Sequence, residues 1–166
     1  MTLAEYEAAH DGTFKQVTLV FLRRPGELLL AMKKRGFGAG HWNGVGGKLE
    51  AGETYEAAAR REVTEEIGVE VGALTEAGML RFYFERDPGF EMQNILCRVY
   101  VCEVWVGEPM ETEEMAPRWF DERELPYDEM WADDRYWLPE VLVGKYIEAE
   151  FLFGGEGEVL DMRLRS

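Results

Sequence analysis

The sequence contains little of what marks a secreted, disulfide-bonded or membrane-inserted protein. Its two cysteines, Cys97 and Cys102, fall in one apolar run at an odd spacing, which points them to opposite faces of a strand. We therefore expect free thiols rather than a disulfide. No apolar run reaches the length of a membrane span, and the first residues, MTLAEYEAAHDGTF, lack the basic-then-apolar pattern of a signal peptide. These features predict a cytoplasmic protein without a membrane partner.

Positive charge is also scarce, with 18 lysines and arginines against 33 aspartates and glutamates and a net charge of −15. No basic cluster is large enough to neutralise a polyanion, so we expect no nucleic-acid partner. The one compact basic cluster is Lys33-Lys34-Arg35, which is either a solvated strand end or a contact for phosphates. A triphosphate would be repelled by this chain unless it arrived as a metal complex in a less negative pocket.

The length of 166 residues, with 46% hydrophobic residues, predicts one globular domain, 1–166, which we expect to be a monomer. Residues 1–14 form a helical or frayed leader to which we assign no function. Helices are predicted at about Tyr55–Ile67 and Arg135–Val143. The predicted strands are Gln16–Leu22, Glu27–Met32, Val69–Leu74, Gly78–Glu85, Ile95–Val106, Pro117–Phe120, and a terminal hairpin, Tyr146–Phe153 with Glu158–Leu164. This order predicts the α/β class, as an α/β/α sandwich with a mixed β-sheet.

The most informative stretch is Gly47–Val69, GKLEAGETYEAAARREVTEEIGV. Thr54 is placed to cap the N-terminus of a helix, and Gly68 is placed to end it. Apolar residues recur every four positions, which predicts one face for docking: Tyr55, Ala59, Val63 and Ile67.

Another face of this helix brings the carboxylates of Glu62, Glu65 and Glu66 together. Such carboxylates repel one another unless a hard divalent cation lies among them. The alternative is a solvated acidic face in which Arg61 pairs with Glu65. The glycine-rich approach at His41–Lys48 favours the first interpretation, because it lets backbone come close to a ligand.

The residues of this stretch match the pattern of a known family. The stretch 47–69 resembles the Nudix box at each of its fixed positions: Gly47, Glu53, Arg61-Glu62-Val63, Glu65-Glu66 and Gly68-Val69. The resemblance implies the Nudix fold and a metal-dependent hydrolase that cuts a nucleoside diphosphate linked to another moiety.

Three further stretches resemble one subgroup, the oxidised purine nucleoside triphosphatases: Met32–Gly40, Gly107–Phe120 and Met130–Glu140. This resemblance implies hydrolysis of triphosphates of the 8-oxo-dGTP, 2-hydroxy-dATP and O6-methyl-dGTP class to a monophosphate and pyrophosphate, which sanitises the nucleotide pool. His41 departs from the subgroup pattern, and extra residues fall near 87–93. The preferred base is therefore the least determined feature.

Trp131 followed by Asp133 and Asp134 places an aromatic plate beside paired carboxylates. A purine can stack on the indole while its edge meets the carboxyls, whose pKa values should split. The alternative is a helix start, with an aspartate as N-cap and Trp131 in the core. The resemblance also implies that Asn43 binds the opposite edge of the base. Alternatively, the Asn43 side chain could hydrogen-bond only to its own backbone. It also implies pocket residues that could otherwise be core: Thr18, Lys33, Phe37, Phe82, Met130 and Trp137.

The implied chemistry uses one to three Mg²⁺ ions, with Mn²⁺ as the alternative, held between the phosphates and the chain. Their ligands would be the Gly46 carbonyl, Glu62, Glu65, Glu66 and, unless it is merely solvated, Glu114. Gly46 and Gly47 would also contact the substrate. A glutamate, Glu65 or Glu62, would accept the proton of the attacking water, Lys33 would stabilise the phosphates, and Arg61 would orient Glu53 or Glu65.

Two rival functions remain. One is a Nudix pyrophosphatase acting on a methylated purine triphosphate, a dinucleoside polyphosphate or a nucleotide sugar. The other is a non-catalytic module that senses nucleotides. The intact glutamates favour an enzyme: Glu53, Glu62, Glu65 and Glu66.

Overall fold

The computed structural model describes residues 1–10, 12–36, 38–85 and 93–166. Its described part contains three α-helices: α1 (Leu3–Ala9), α2 (Tyr55–Ile67) and α3 (Asp134–Leu142). The strands are β1 (Lys15–Arg24), β2 (Glu27–Lys33), β3 (Trp42–Asn43), β4 (Glu70–Val71), β5 (Thr75–Phe84), β6 (Ile95–Cys102), β7 (Trp105–Val106), β8 (Met115–Asp121), β9 (Ile147–Phe153) and β10 (Val159–Arg165).

Eight of the described strands form one mixed sheet in the order β10-β9-β5-β6-β1-β2-β3, with β8 paired to β2. The β1–β6 and β5–β9 pairs are parallel, and the other pairs are antiparallel. Helix α2 packs on one face of the sheet and α3 on the other. This arrangement confirms the α/β/α sandwich with a mixed sheet.

Helix α2 forms where the sequence predicts it, and for the predicted reasons. The Thr54 hydroxyl accepts a hydrogen bond from the Ala57 N–H at 3.1 Å, and Gly68 ends the helix with φ of +70°. The predicted apolar face packs against the sheet, with three residues fully buried: Ala59, Val63 and Ile67.

The two cysteines lie on opposite faces of the sheet, as predicted. Cys97 belongs to the core cluster beneath α3, and Cys102 to the cluster beneath α2. Both are buried free thiols. In the described ranges no helix is long and apolar enough to cross a membrane.

One opening in the sheet determines where a ligand can enter. Strands β1 and β2 pair only at Arg23 and Arg24 and diverge beyond them. The segment 45–49 takes the vacated place beside β1 through backbone hydrogen bonds, including Val20 N–H to Val45 O and Thr18 N–H to Gly47 O. A cleft therefore opens where the sheet splits.

Two strand predictions were too long. The run Ile95–Val106 divides at Glu103 and Val104, because the Val104 carbonyl accepts from Gly72 N–H at 2.7 Å and the chain leaves the main sheet. The following β7 pairs with β4 in a separate two-stranded ribbon. The predicted strand Val69–Leu74 correspondingly shrinks to β4.

The leader is helical, as one alternative predicted, and it is docked on the sheet rather than frayed. Thr2 and Glu5 form a capping box at its start, and Leu3 is fully buried. The Tyr6 hydroxyl donates to the Phe84 carbonyl at 2.7 Å. Most of the extra residues near 87–93 lie outside the described residues.

Candidate active site

A cavity of about 440 Å³ occupies the cleft between β1, the glycine-rich segment, α2 and the start of α3. Twelve residues singled out from the sequence line it: Thr18, Lys33, Asn43, Gly46, Gly47, Glu62, Glu66, Phe82, Trp131, Asp133, Asp134 and Trp137. Residues from distant parts of the chain thus meet around one space.

The paired glycines are required by close packing. A Cβ atom on Gly46 would lie 1.9 Å from the Thr18 carbonyl oxygen, and one on Gly47 would lie 2.6 Å from the carboxyl of Glu62. Any side chain at either position would collide with β1 or with the helix carboxylate. Because both positions are glycine, the backbone of this segment, strand β1 and the Glu62 carboxylate can form one wall of the cavity.

Arg61 connects the helix to the glycine-rich segment. Its guanidinium donates to both oxygens of Glu53 at 2.8 and 2.9 Å, to Glu62 at 3.0 Å, to Glu65 at 3.1 Å and to the Lys48 carbonyl at 3.0 Å. The bidentate contact with Arg61, helped by the N–H of Glu50, lowers the pKa of Glu53 to about 2. Glu53 therefore stays ionised and fixes Arg61 in place.

Glu66 is in the opposite electrostatic situation. Its side chain is buried, and its Oε2 atom has no hydrogen-bond partner among the described residues. Burial, and then the negative charge of Glu62, raise the pKa of Glu66 to about 8. A buried carboxyl without a partner requires either a proton or a cation.

This donor set fits a divalent cation. Two cavity carboxylates, Glu62 and Glu66, supply hard oxygen ligands, and the orphaned oxygen of Glu66 lacks the positive partner that an ion would provide. Within the described ranges no three acidic, imidazole or thiol groups already form a metal cluster. Arg61 instead holds the carboxylates of Glu62 and Glu65.

The other two predicted metal ligands lie outside the cavity lining. The side chain of Glu65 is 57% exposed and pairs with Arg61. Glu114 is also exposed, 3.7 Å from Arg35, but its charge contributes to the raised pKa of Glu66. Neither group lines the cavity.

At the other end of the cavity, Asp133 and Asp134 are both 2% exposed. The Trp137 indole N–H donates to Asp133 Oδ2 at 2.7 Å, whereas Asp134 Oδ2 has no partner among the described residues. Burial raises the pKa of Asp133 to about 6. Burial, and then the charge of Asp133, raise the pKa of Asp134 well above its usual value.

The alternative of a helix start is confirmed for the position of Asp133 but not for a capping hydrogen bond. Asp133 occupies the N-cap position of α3, but its carboxyl makes no capping hydrogen bond. Trp131 is half-buried rather than part of the core, and its indole stacks on His41 with ring centres 4.5 Å apart and planes 9° apart. The indole and both carboxyls therefore face the cavity together.

The Asn43 side chain hydrogen-bonds to the neighbouring backbone and also lines the cavity. Its Oδ1 atom accepts from the Gly44 N–H at 2.8 Å, and its amide nitrogen has no partner within the described chain. Met130 is buried in the core cluster beneath α3 and does not line the cavity. Phe37 lies outside the described residues.

Sequence reasoning missed several lining residues: Lys15, His41, Lys48, Phe84, Ile95 and Phe153. Phe84 could have been found, because it follows Phe82 by two positions in one strand and so shares its face. Lys15 and Phe153 carry no local signal, since only the strand order brings them to the cavity.

The glycine contact leads to a prediction of stability. Gly46→Ala should destabilise the protein by about 1–3 kcal/mol or more, because its Cβ cannot fit beside Thr18. Gly155→Ala is the matched control, since no atom lies within 4 Å of its added Cβ. Urea unfolding of both variants measures the difference, and equal stabilities would show that the segment is not tightly packed.

The buried carboxyl of Glu66 leads to a prediction of pH dependence. Its native pKa of about 8 exceeds the ordinary 4.5, so between these values the folded chain holds a proton that the unfolded chain has released. Its contribution to stability is complete below pH 4.5 and is lost as pH rises through 8. Without divalent cations, Glu66→Gln should flatten the fall in unfolding free energy over this range. The exposed Glu70→Gln should not, and a retained slope in Glu66→Gln would contradict the assignment.

Comparisons with known proteins agree with this geometry. The pattern of the family described as NUDIX domain matches residues 13–141. The oxidized purine nucleoside triphosphate hydrolase of Danio rerio is 43% identical over 152 residues, covering 92% of this chain and 95% of that protein. The mouse protein of the same name is 40% identical over 154 residues, covering 93% and 96%. A MutT protein from Bacillus halodurans has a similar solved structure, with a TM-score of 0.80 at 25% identity, covering 91% of this chain and 97% of that one. The chain belongs to the Nudix hydrolase family.

Proposed function

We propose that this protein hydrolyses oxidised or otherwise modified purine nucleoside triphosphates, of the 8-oxo-dGTP, 2-hydroxy-dATP and O6-methyl-dGTP class, to a nucleoside monophosphate and pyrophosphate. Such an enzyme sanitises the nucleotide pool. One observation carries the proposal: a single cavity contains metal-type carboxylates on α2 and a pair of buried aspartates at α3. The names of the zebrafish and mouse relatives support the same substrate class.

Nudix hydrolases use divalent metal ions, and we propose Mg²⁺, with Mn²⁺ as the alternative, for this chain. When bound, the ion neutralises phosphate charge and positions the attacking water. Glu62 and Glu66 would hold it from inside the cavity, with the Gly46 carbonyl, Glu65 and Glu114 completing the ligand set. Glu66 must release its proton to do so.

The remaining members of the acidic cluster have positioning roles in this proposal. Arg61 is fixed by Glu53 and holds one oxygen each of Glu62 and Glu65. Either of these two glutamates can accept the proton of the attacking water, because each keeps a carboxylate oxygen outside the recorded hydrogen bonds to Arg61. Lys33, which lines the cavity, offers its ammonium group to the phosphates together with the backbone of Gly46 and Gly47.

The base would bind at the aspartate end. A carboxyl that keeps its proton, such as Asp134, can donate to a purine carbonyl, while Asp133 can accept from ring N–H or amine. The Asn43 amide would meet the opposite edge, and Trp131 would stack on the ring. The surrounding wall would consist of Thr18, Phe82 and Trp137, with Met130 supporting it from the core and Phe37 as a further proposed contact.

We further propose that residues 1–166 act as one domain, with residues 1–14 as its leader, and that the protein is a monomer in the cytoplasm. Its substrates would be free nucleotides rather than nucleic acid or membrane components. The net charge of −15 supports this part of the proposal, because a long polyanion would be repelled.

Pyrophosphate release with Mg²⁺ tests the reaction directly. Among 8-oxo-dGTP, 2-hydroxy-dATP, O6-methyl-dGTP and dGTP, at least one modified nucleotide should be turned over faster than dGTP. Glu66→Gln should abolish turnover and leave nucleotide binding largely intact, since the cation loses a ligand but the base contacts remain. Turnover of dGTP alone, or undiminished turnover by Glu66→Gln, would refute the proposal.

Base readout is tested separately by Asp134→Asn. This variant should weaken binding of an oxidised purine triphosphate by about tenfold, because a buried contact to the base edge is altered. Binding of dCTP should change far less, since a pyrimidine does not fill the same contacts. Calorimetric titration of each nucleotide measures the change in affinity that the substitution causes. Equal losses of affinity for the two nucleotides would argue against base recognition by Asp133 and Asp134.

A further inference from the structure

The five lysines of this chain divide into two kinds. Two lie away from the cavity and pair with glutamates: Lys34 with Glu111 at 2.7 Å, and Lys145 with Glu140 at 2.8 Å. The other three line the cavity and have no carboxylate within ion-pair distance in the described part of the chain: Lys15, Lys33 and Lys48. In a chain with 33 acidic residues, three lysines at one cavity without an ion pair among the described residues favour a site for an anion, even though carboxyl groups line the same cavity.

All three lysines line the same cavity, and Lys15 is near enough to the other two to be affected by their charge. Partial burial, then the charges of Lys48 and Lys33, lower the pKa of Lys15. Like charges held together in a partly desolvated site are unfavourable without a counter-charge. A bound anion would remove this repulsion.

Lys15 and Lys48 also line an adjoining depression of about 320 Å³. Lys48 directly follows Gly47, where an added Cβ atom would lie 2.6 Å from the Glu62 carboxyl. The two lysines thus line both the cavity and the depression. Two glutamates line the depression as well, Glu53 and Glu50, and both lie against the Arg61 guanidinium, at 2.8 and 3.7 Å, rather than against either lysine.

We propose that Lys15, the first residue of β1, together with Lys48 binds the two terminal phosphates of the substrate, which leave as pyrophosphate. This inference rests on the proposed function, since it extends the path of the triphosphate beyond Glu62 and Glu66. The chemistry recognised is a compact polyphosphate anion carrying several negative charges. Lys15 lies outside the Nudix box and is a binding residue of this chain's own cavity wall.

The test measures binding of inorganic pyrophosphate with Mg²⁺ by calorimetry and, in parallel, KM and kcat for the preferred triphosphate. Lys15→Met keeps the length of the side chain and removes its charge. It should weaken pyrophosphate binding and raise KM by about three- to tenfold while kcat changes by less than about twofold. Lys15→Arg should restore most of both values.

Lys145→Met is the matched control, because it removes a lysine outside the cavity and should leave pyrophosphate binding and KM unchanged. Lys15→Gln provides a second variant if Lys15→Met fails to fold, as judged by thermal unfolding. Pyrophosphate affinity and KM within about twofold of wild type in a folded Lys15 variant would overturn the inference. The two proposals can fail separately. If no modified purine nucleotide is turned over but pyrophosphate binding still depends on Lys15, only the proposed reaction is refuted. If a modified purine nucleotide is turned over and KM does not depend on Lys15, only this binding site is refuted.

Discussion

The candidate site depends on one close contact between backbone and side chain. Gly46 lies so close to strand β1 that a Cβ atom would meet the Thr18 carbonyl oxygen at 1.9 Å, and a Cβ atom on Gly47 would displace the Glu62 carboxyl. This contact is available because β2 diverges from β1 and leaves its place to the glycine-rich segment. The same divergence opens the cavity. Helix, strand and loop are therefore held together at the point where a ligand must enter.

The electrostatics of the cavity are unfavourable without a ligand. Glu66 and Asp134 are buried with an oxygen that has no partner in the described chain, and three lysines lie together unpaired. Each arrangement costs free energy that close packing elsewhere must offset. The proposed metal–polyphosphate ligand carries both charges and would satisfy both sets. The strong net negative charge of the protein is compatible with an anionic substrate, because three lysines offset part of the negative charge of the four carboxyl groups in the lining.

The sequence was most informative where structure is local. The bounds of α2 follow from Thr54 and Gly68, and the four-residue period assigns its buried face. It was less informative where partners come from distant segments. Lys15 reaches the cavity through the placement of β1 beside segment 45–49. The end of β6 depends on Val104 meeting Gly72, which no local pattern records. Likewise, the sequence left the aspartate pair between capping and ligand binding. In the fold Asp133 is the N-cap residue of α3, but its carboxyl accepts from the Trp137 indole rather than from the helix backbone.

Burial raises the pKa of a carboxyl group at each end of the cavity, but the consequence for ligand binding differs between the two ends. Burial raises the pKa of Glu66 and of Asp134, so both carboxyls favour their protonated form in the ligand-free fold. At Glu66, a cation competes with the proton, because the ion supplies the missing positive charge directly. At Asp134, a base carbonyl would instead require the proton, because a hydrogen bond can be donated only by the neutral acid. Under the proposed function, binding a metal-bound purine triphosphate would therefore remove a proton at one end of the cavity and stabilise one at the other.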